Sequence, residues 1–155
     1  MFFCRKNRRA REVICTICSK EKKNDPNPMP AVKLYLGEHI RRAHSVALSE
    51  RRPFFILSGV HGLVESGRHL RHYDQRLEED KVDDLAALVA RQIVWNKIQT
   101  IRYLHEPKDS WKPYTRALCK AIELSGIGLI QHALPIAQQE AIMPFTQMLV
   151  APATA

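Results

Sequence analysis

"FFILSGVHGLVESGRHLRHYDQRL" (residues 54–77) begins with a continuous apolar run that glycine ends. An apolar run without polar alternation is typical of a strand that is covered on both faces of a parallel sheet. After this run, glycine, histidine and arginine follow with neither helical nor strand periodicity. The stretch therefore predicts a buried strand that stops at a polar loop.

The rest of the chain alternates between strand and helix patterns. Short apolar runs predict three further strands, at 12–18, 98–104 and 127–131. Apolar residues at helical spacing predict a helix from Ala31 to about Leu48. This order predicts an α/β fold with a mostly parallel central sheet of about four strands and helices on both faces, in three layers.

The ends of the other helices carry recognisable signals. Asp80 and Ser110 are the expected N-caps of the second and third helices. Gly126 stands where a helix C-terminus takes the left-handed conformation. A last helix is predicted over residues 136–149, with an interruption at its proline.

Length and composition favour one cytoplasmic domain. The chain has 155 residues, of which 45% are hydrophobic, enough for one core and too few for two. No run of eighteen apolar residues is present, so we expect no membrane partner. The basic start lacks the apolar region of a secretory signal, and four cysteines are too few for a disulfide scaffold. We expect a basic arm over residues 1–11 and a single α/β domain over residues 12–155.

The positive charge is concentrated in the first half of the chain. The formal net charge is +8, and residues 1–76 hold sixteen Lys and Arg against seven Asp and Glu, whereas residues 77–155 hold eight against nine. A phosphorylated ligand or a polyanion is therefore the expected partner of the first half. A solvated basic surface is the alternative.

Parallel strands place their carboxyl ends at one edge of the sheet, where α/β proteins bind ligands. The residues expected at this edge follow the four strands: Cys18, Ser19 and Lys20; Ser58 to Gly62; His105 and Glu106; and His132. Gly59 and Gly62 permit a positive φ or a close backbone approach. Ser58 and His61 then project from a tight turn.

The same stretch resembles a pattern in a large, poorly characterised bacterial family of small α/β domains, L-S-x-x-Y-G-L followed by Y-D-x-x-L. Upstream, "ICTICSKEKKNDPNPMPAVKLY" is similar to the opening strand and helix of that family. A related pattern marks the YaaA-type peroxide-stress proteins, which are associated with DNA binding, and a domain of archaeal tRNA-modifying enzymes. The fold also resembles, more loosely, the uracil-DNA glycosylase group. The resemblance covers residues 12–77, and His61 departs from it, because the family has tyrosine there.

The resemblance and the edge argument together predict one site. Its expected catalytic residues are Asp74, Ser58 and His61, with Asp74 as a base or hydrogen-bond acceptor. Its expected ligand-binding residues are Cys18, Ser19, Lys20, Lys22, Lys23, Tyr35, Gly59, Gly62 and Tyr73. The alternatives are that the lysines are merely solvated, that Tyr35 is an ordinary half-buried tyrosine and that Asp74 caps a turn.

The sequence "CTIC" (15–18) has the spacing of zinc ligands, but no second pair accompanies it. On a strand, the odd separation of Cys15 and Cys18 places them on opposite faces. A thioredoxin-like redox role is also disfavoured, because that motif begins a helix. We therefore predict no metal and no cofactor.

Two function classes fit these features. The first is an enzyme that acts on a nucleotide or on nucleic acid, with the nucleobase or its N-glycosidic bond as the expected point of action. The second is a nucleic-acid-binding module without chemistry, part of a stress-response or nucleic-acid-modification system. The salt dependence of binding distinguishes the two classes. The affinity of a module that contacts only phosphates falls steeply as the salt concentration rises, whereas the affinity of a pocket for a small ligand does not.

Overall fold

The computed structural model of the chain describes residues 11–134. The helix predicted at 136–149 and the first ten residues of the predicted basic arm lie outside these residues. Among those described, no helix combines the length and the apolar character that crossing a bilayer would require.

Strands and helices alternate along the described residues. The strands are β1 (Glu12–Ile17), β2 (Met29–Pro30), β3 (Phe54–Ser58), β4 (Gly62–Glu65), β5 (His69–Leu70), β6 (Thr100–His105) and β7 (Gly128–Ala133). The α-helices are α1 (Ala31–Leu34), α2 (Glu38–Glu50), α3 (Val82–Trp95) and α4 (Lys112–Ser125). Strands β2 and β5 form a separate antiparallel pair.

The central sheet has the order β4-β3-β1-β6-β7. Strand β1 pairs in parallel with both β3 and β6, and β6 pairs in parallel with β7. All four predicted strands therefore lie in one mostly parallel sheet, and the α/β class is confirmed. Helix α2 packs on β1 and β3, whereas α3 packs on β4 and on α4. The placement of helices on both faces follows from right-handed crossovers and stays a prediction.

The sheet has five strands rather than the four predicted, because β4 folds back antiparallel on β3. Ser58 pairs with Gly62, so the loop between the strands contains only three residues. Gly62 has a φ of +70°, which lets the chain reverse there. Leu63 and Val64 are buried by this pairing. Two apolar residues were too short a run to predict a strand.

The single helix predicted from Ala31 to about Leu48 is wrong, because two helices occupy this region. Helix α1 ends after one turn, and Tyr35 forms an isolated antiparallel bridge with Lys22. The backbone N–H of Leu36 donates to the carbonyl of Glu21 at 3.0 Å, and that of Lys23 to Leu34 at 2.8 Å. These bonds to a distant segment replace the bonds that would continue the helix.

The two predicted N-caps are also wrong, whereas the predicted C-terminal glycine is confirmed. Asp80 and Ser110 lie within short 3-10 turns that precede α3 and α4, and neither side chain caps the helix. Gly126 ends α4 with φ 70° and ψ 20°, in the left-handed region.

Gly62→Ala is expected to lower the free energy of unfolding by about 2 kcal/mol. A Cβ at this position would lie 2.2 Å from Oε1 of Gln92, which accepts the N–H of Leu63 at 2.7 Å. Alanine also tolerates the positive φ less well than glycine. Urea denaturation measures the change, with Gly67→Ala as the control, because a Cβ there meets nothing within 4 Å. Equal stability of the two variants would contradict this account of the turn.

Candidate functional site

A cavity of about 580 Å³ opens beside the carboxyl ends of the parallel strands. Four segments line it: residues 17–22 at the end of β1 and after it, Gly37 and His39 around the start of α2, residues 74–77, and Ser110, Trp111, Pro113 and Tyr114 around the start of α4. The cavity thus lies where loops diverge from neighbouring parallel strands, as the sequence predicted for a ligand site.

Five of the predicted site residues line the cavity directly: Cys18, Ser19, Lys20, Lys22 and Asp74. Ser19 is buried, and its hydroxyl donates to the carbonyl of Glu21 at 2.7 Å and accepts the N–H of Gly37 at 3.2 Å. Ser19 therefore joins the loop after β1 to the start of α2. Lys20 and Asp74 are exposed, so both offer a charged group to a ligand.

Three more predicted residues form a hydrogen-bonded chain behind the cavity wall. Ser58 Oγ accepts the N–H groups of Val60 at 3.2 Å and His61 at 3.1 Å. Because these bonds use both of its lone pairs, Ser58 donates its hydrogen to Tyr73 Oη, 2.8 Å away. Tyr73 Oη also shares a hydrogen bond with Tyr35 Oη, 2.5 Å away. The chain thus runs from backbone N–H groups through Ser58 and Tyr73 to Tyr35.

Ser58 is fully buried and Tyr35 is nearly so, and neither belongs to the cavity lining. Burial raises the pKa of Tyr35 to about 12 and raises the pKa of Tyr73 as well. All three hydroxyls are therefore neutral at physiological pH. In the structure these three residues support the lining by anchoring the segment that begins at Tyr73. A direct contact of Ser58, Tyr35 or Tyr73 with a ligand stays a prediction.

Gly59, His61 and Gly62, from the predicted loop, also lie outside the cavity lining. Gly59 packs against Leu77, where an added Cβ would lie 3.0 Å from the Leu77 Cβ. His61 sets its ring edge-on against Tyr73, with centroids 5.1 Å apart. Burial, and then the charge of Arg68, lower the pKa of His61. A catalytic role of His61 stays a prediction, with the ring outside the cavity lining.

The segment from Tyr73 to Leu77 is held at both of its ends. Tyr73 is bound to Ser58 and Tyr35, as described. The N–H of Leu77 donates to Tyr114 Oη at 3.4 Å, and Gly59 packs on its side chain. Between these anchors, residues 74–76 line the cavity. The Y-D-x-x-L pattern is thereby explained: its first and last residues are anchors, and Asp74 faces the site.

Asp74 carries a carboxylate that the fold does not use. Among residues 11–134, its side chain has no hydrogen-bond or ion-pair partner. The alternative that Asp74 caps the turn is therefore not supported by the described contacts. An exposed carboxylate on a fixed backbone is available to accept a hydrogen bond or to stabilise positive charge on a ligand.

Basic side chains surround the same cavity. Lys22 Nζ lies 4.5 Å from the ring centroid of Tyr73 and 5.7 Å from that of Tyr35, so cation–π attraction holds it over the wall. Lys20 and Arg76 also line the cavity. Within the described part of the chain, none of these three cations forms an ion pair. Lys23 is exposed and lies outside the cavity lining.

The cysteines of "CTIC" occupy different environments. Cys15 is fully buried in the core, whereas Cys18 lines the cavity with its Sγ 3.8 Å from Tyr114 Oη. Burial raises the pKa of Cys15 to about 12 and also raises that of Cys18, so both are neutral thiols at physiological pH. No cluster of three or more potential metal ligands occurs among residues 11–134.

Sequence reasoning missed several cavity residues that later elements supply. They are His39, Ser110 as a lining residue, Trp111 and Tyr114. Trp111 and Tyr114 are three residues apart, a spacing that by itself indicates only the apolar face of a helix. Their position soon after β6 was a usable signal, because residues that follow parallel strands share an edge. His105, Glu106 and His132, which were expected at this edge, do not line the cavity; Glu106 pairs with Arg42 and Lys108.

Comparison with known proteins adds one match. A family model described as a family of unknown function (DUF6884) matches residues 13–110, which is more than half of the chain. No curated protein and no solved structure matches significantly. The matched region contains β1, except its first residue, through β6 and all twelve residues of the predicted site. The chain therefore belongs to this family of unknown function, DUF6884.

Proposed function

We propose that the protein is an enzyme that acts on a nucleotide, or on a nucleobase of nucleic acid, within the cavity at the carboxyl edge of the sheet. The observation that carries this proposal is Asp74. Its carboxylate lines the cavity without a partner among residues 11–134, on a segment that is anchored at both ends. Fixed, unsatisfied charged groups are typical of sites that act on a ligand.

The volume and the charge of the cavity support a nucleotide. About 580 Å³ lies within the range of roughly 300–1,000 Å³ that small-molecule sites occupy. Lys20, Lys22 and Arg76 provide cations for phosphate oxygens. Trp111 and Tyr114 provide aromatic surface for a planar base. A nucleotide, which joins a phosphate to a heterocyclic base, matches both the cationic and the aromatic part of the cavity lining.

The expected reaction is cleavage of the N-glycosidic bond. As the bond between sugar carbon and base nitrogen breaks, positive charge develops on the sugar ring. Asp74 would stabilise that charge or take a hydrogen bond from the attacking water. Water adds to the sugar carbon, one of its protons is released, and the base leaves with a proton on nitrogen. No redox change is required.

The sequence resemblance points to the same ligand class. The YaaA-type proteins and the archaeal tRNA-modifying domain, which the motifs around Ser58 and Asp74 resemble, are associated with nucleic acids. This support is an analogy between motifs, and related folds host unrelated chemistry. The geometry around Asp74 therefore carries more weight in the proposal than the resemblance does.

A thermal-shift panel tests the proposal. It contains the four ribonucleoside 5′-monophosphates, the corresponding nucleosides, ribose 5-phosphate and inorganic phosphate. We expect a monophosphate to give the largest stabilisation, because it fills both the cationic and the aromatic parts of the cavity. Incubation of that monophosphate with the protein, followed by chromatography, then detects release of the free base. Absence of stabilisation by every monophosphate would overturn the proposal.

Lys22→Met is expected to weaken binding of the best monophosphate roughly tenfold, because a charge-assisted hydrogen bond to phosphate is lost. Methionine keeps an apolar contact with the Tyr73 ring, so stability should change little. Titration calorimetry measures the affinity. Lys33→Met is the control, since Lys33 is exposed on α1 and does not line the cavity. Equal affinities for the two variants would remove Lys22 from the ligand site.

A nucleic-acid-binding module without chemistry is the second candidate. Exposed cations favour it: Lys20 and Arg76 line the cavity, and Lys23, Arg68 and Arg71 are exposed as well. Such a module would bind oligonucleotides with an affinity that falls steeply as salt rises. A small nucleotide in a cavity should show a shallower dependence. A steep salt dependence together with no response to monophosphates would favour the module.

A further inference from the structure

His39 is a cavity residue whose hydrogen-bonding state can be read from its surroundings. Its Nε2 lies 2.9 Å from the carbonyl oxygen of Ile17. Because a carbonyl oxygen only accepts hydrogen bonds, Nε2 carries the hydrogen. In the neutral ring, Nδ1 then holds a free lone pair. Burial lowers the pKa of His39, which favours this neutral form.

Gly37 lies close against the Cε1 and Nδ1 edge of the ring, and only a residue without a side chain fits there. A Cβ on Gly37 would lie 2.6 Å from Cε1 and 2.8 Å from Nδ1 of His39, so any larger residue would displace the ring. Both residues line the cavity. Within residues 11–134, Nδ1 has no hydrogen-bond partner, and it is not among the buried polar atoms. Nδ1 therefore keeps some exposed surface, on a ring that lines the cavity.

The orientation of the ring is fixed as well. Trp111 packs edge-on against it, with ring centroids 5.0 Å apart, while the Ile17 carbonyl holds Nε2. Two contacts on different sides of an imidazole restrict its rotation. A hydrogen-bond acceptor with a fixed direction, such as Nδ1 of this ring, is suited to recognising one hydrogen-bond donor of a ligand.

The chemistry of this acceptor excludes phosphate from its neighbourhood. Phosphate oxygens at neutral pH are acceptors, so a lone pair on Nδ1 repels them. The cations that suit phosphate are Lys20, Lys22 and Arg76, on other segments of the lining. The wall formed by His39 and Trp111 instead suits a flat ring that carries an N–H group.

We propose that Nδ1 of His39 accepts a hydrogen bond from an amino or ring N–H group of the nucleobase, and so determines which bases the cavity takes. This inference rests on the proposed function and names the part of the ligand that the His39 wall recognises. The phosphate then lies toward the lysines.

Two substitutions of His39 separate the roles of its two nitrogens. In His39→Gln, the side-chain amide nitrogen can still donate to the Ile17 carbonyl, but the acceptor at Nδ1 is lost. In His39→Asn, the shorter side chain places its carbonyl oxygen near the position of Nδ1 and loses the bond to Ile17. With the best-binding ribonucleoside 5′-monophosphate, we expect His39→Gln to weaken binding about tenfold and His39→Asn to weaken it less.

Nitrogen NMR of the wild-type protein with isotope-labelled histidine gives an independent readout. We expect the Nε2-protonated form without ligand, and a shift of the Nδ1 resonance toward a hydrogen-bonded value on addition of that monophosphate. The same nucleotide, methylated at every N–H of its base, should bind more weakly and leave Nδ1 unchanged. An unmoved Nδ1 resonance with the bound monophosphate would overturn the inference, even if both variants failed to fold.

The failure of this inference differs from the failure of the proposed function. If a monophosphate binds and depends on Lys22, but His39→Gln binds it as tightly as the wild type, only the role of His39 is wrong. If no monophosphate binds the wild type, the proposed function fails and the inference fails with it.

Discussion

Asp74→Asn is expected to lower turnover of the substrate by about a hundredfold to ten-thousandfold, the usual contribution of a positioned acid or base. The amide keeps the shape of the carboxylate and loses its charge and basicity. Binding should persist, because Lys20, Lys22 and Arg76 are unchanged and Asn removes a negative charge from the cavity. Single-turnover kinetics and calorimetry on the same variant separate the two quantities.

Stability should be nearly unaffected by Asp74→Asn, because the carboxylate has no partner among residues 11–134. The control is Asp80→Asn, the same chemical change at an exposed residue outside the cavity lining. Full activity of Asp74→Asn would refute the catalytic assignment. So would a loss of stability large enough to explain the loss of turnover. Either result would leave the binding module as the better interpretation.

Ser58→Ala is expected to lower the free energy of unfolding by about 3 kcal/mol, because it leaves several buried groups without a partner. The N–H groups of Val60 and His61 lose their acceptor, and Tyr73 Oη loses its donor. Ser58 is fully buried, so a water molecule cannot easily replace the hydroxyl. Urea denaturation measures the change, provided that the slope of the transition stays constant.

Ser45→Ala is the matched control, because Ser45 is exposed on α2 and its hydroxyl has no hydrogen bond within the described residues. It should change stability by less than about 0.5 kcal/mol. Ligand affinity of Ser58→Ala should also fall, since Tyr73 anchors the segment that carries Asp74. A Ser58→Ala variant as stable as the control would mean that the Ser58, Tyr73 and Tyr35 chain does not hold the wall.

Part of the location of the site followed from local patterns, as the residues after β1 illustrate. Asp74 was expected from the family resemblance instead. The run Phe54–Leu57 is apolar without alternation, so it had to be a strand covered on both faces. Parallel strands joined by helices place their carboxyl ends together. Residues after β1 and β3 were therefore expected at one edge. Cys18, Ser19 and Lys20 do line a cavity there, whereas Ser58 to Gly62 do not belong to its lining.

The break between α1 and α2 was not predictable from the same kind of pattern. Val32, Leu36 and Ile40 keep helical spacing, yet Leu36 is 51% exposed and its N–H pairs with Glu21. A segment fifteen residues earlier in the chain competes for the backbone groups of this region. Helical spacing reports which residues are apolar, and it does not report a competing partner for the backbone. The same limitation hid β4, which forms only because β3 offers it an edge.

The sequence by itself determined the α/β class, the parallel strands and the edge at which polar residues gather, because these depend on periodicities within each segment. Only the tertiary structure decided which polar residues face the cavity and which support its wall. Ser58 and Asp74 are both polar; Ser58 is the last residue of β3, and Asp74 follows β5. Ser58 is enclosed by Val60, His61 and Tyr73, whereas Asp74 meets no partner among residues 11–134. That difference arises from contacts between segments distant in the chain, which no local pattern encodes.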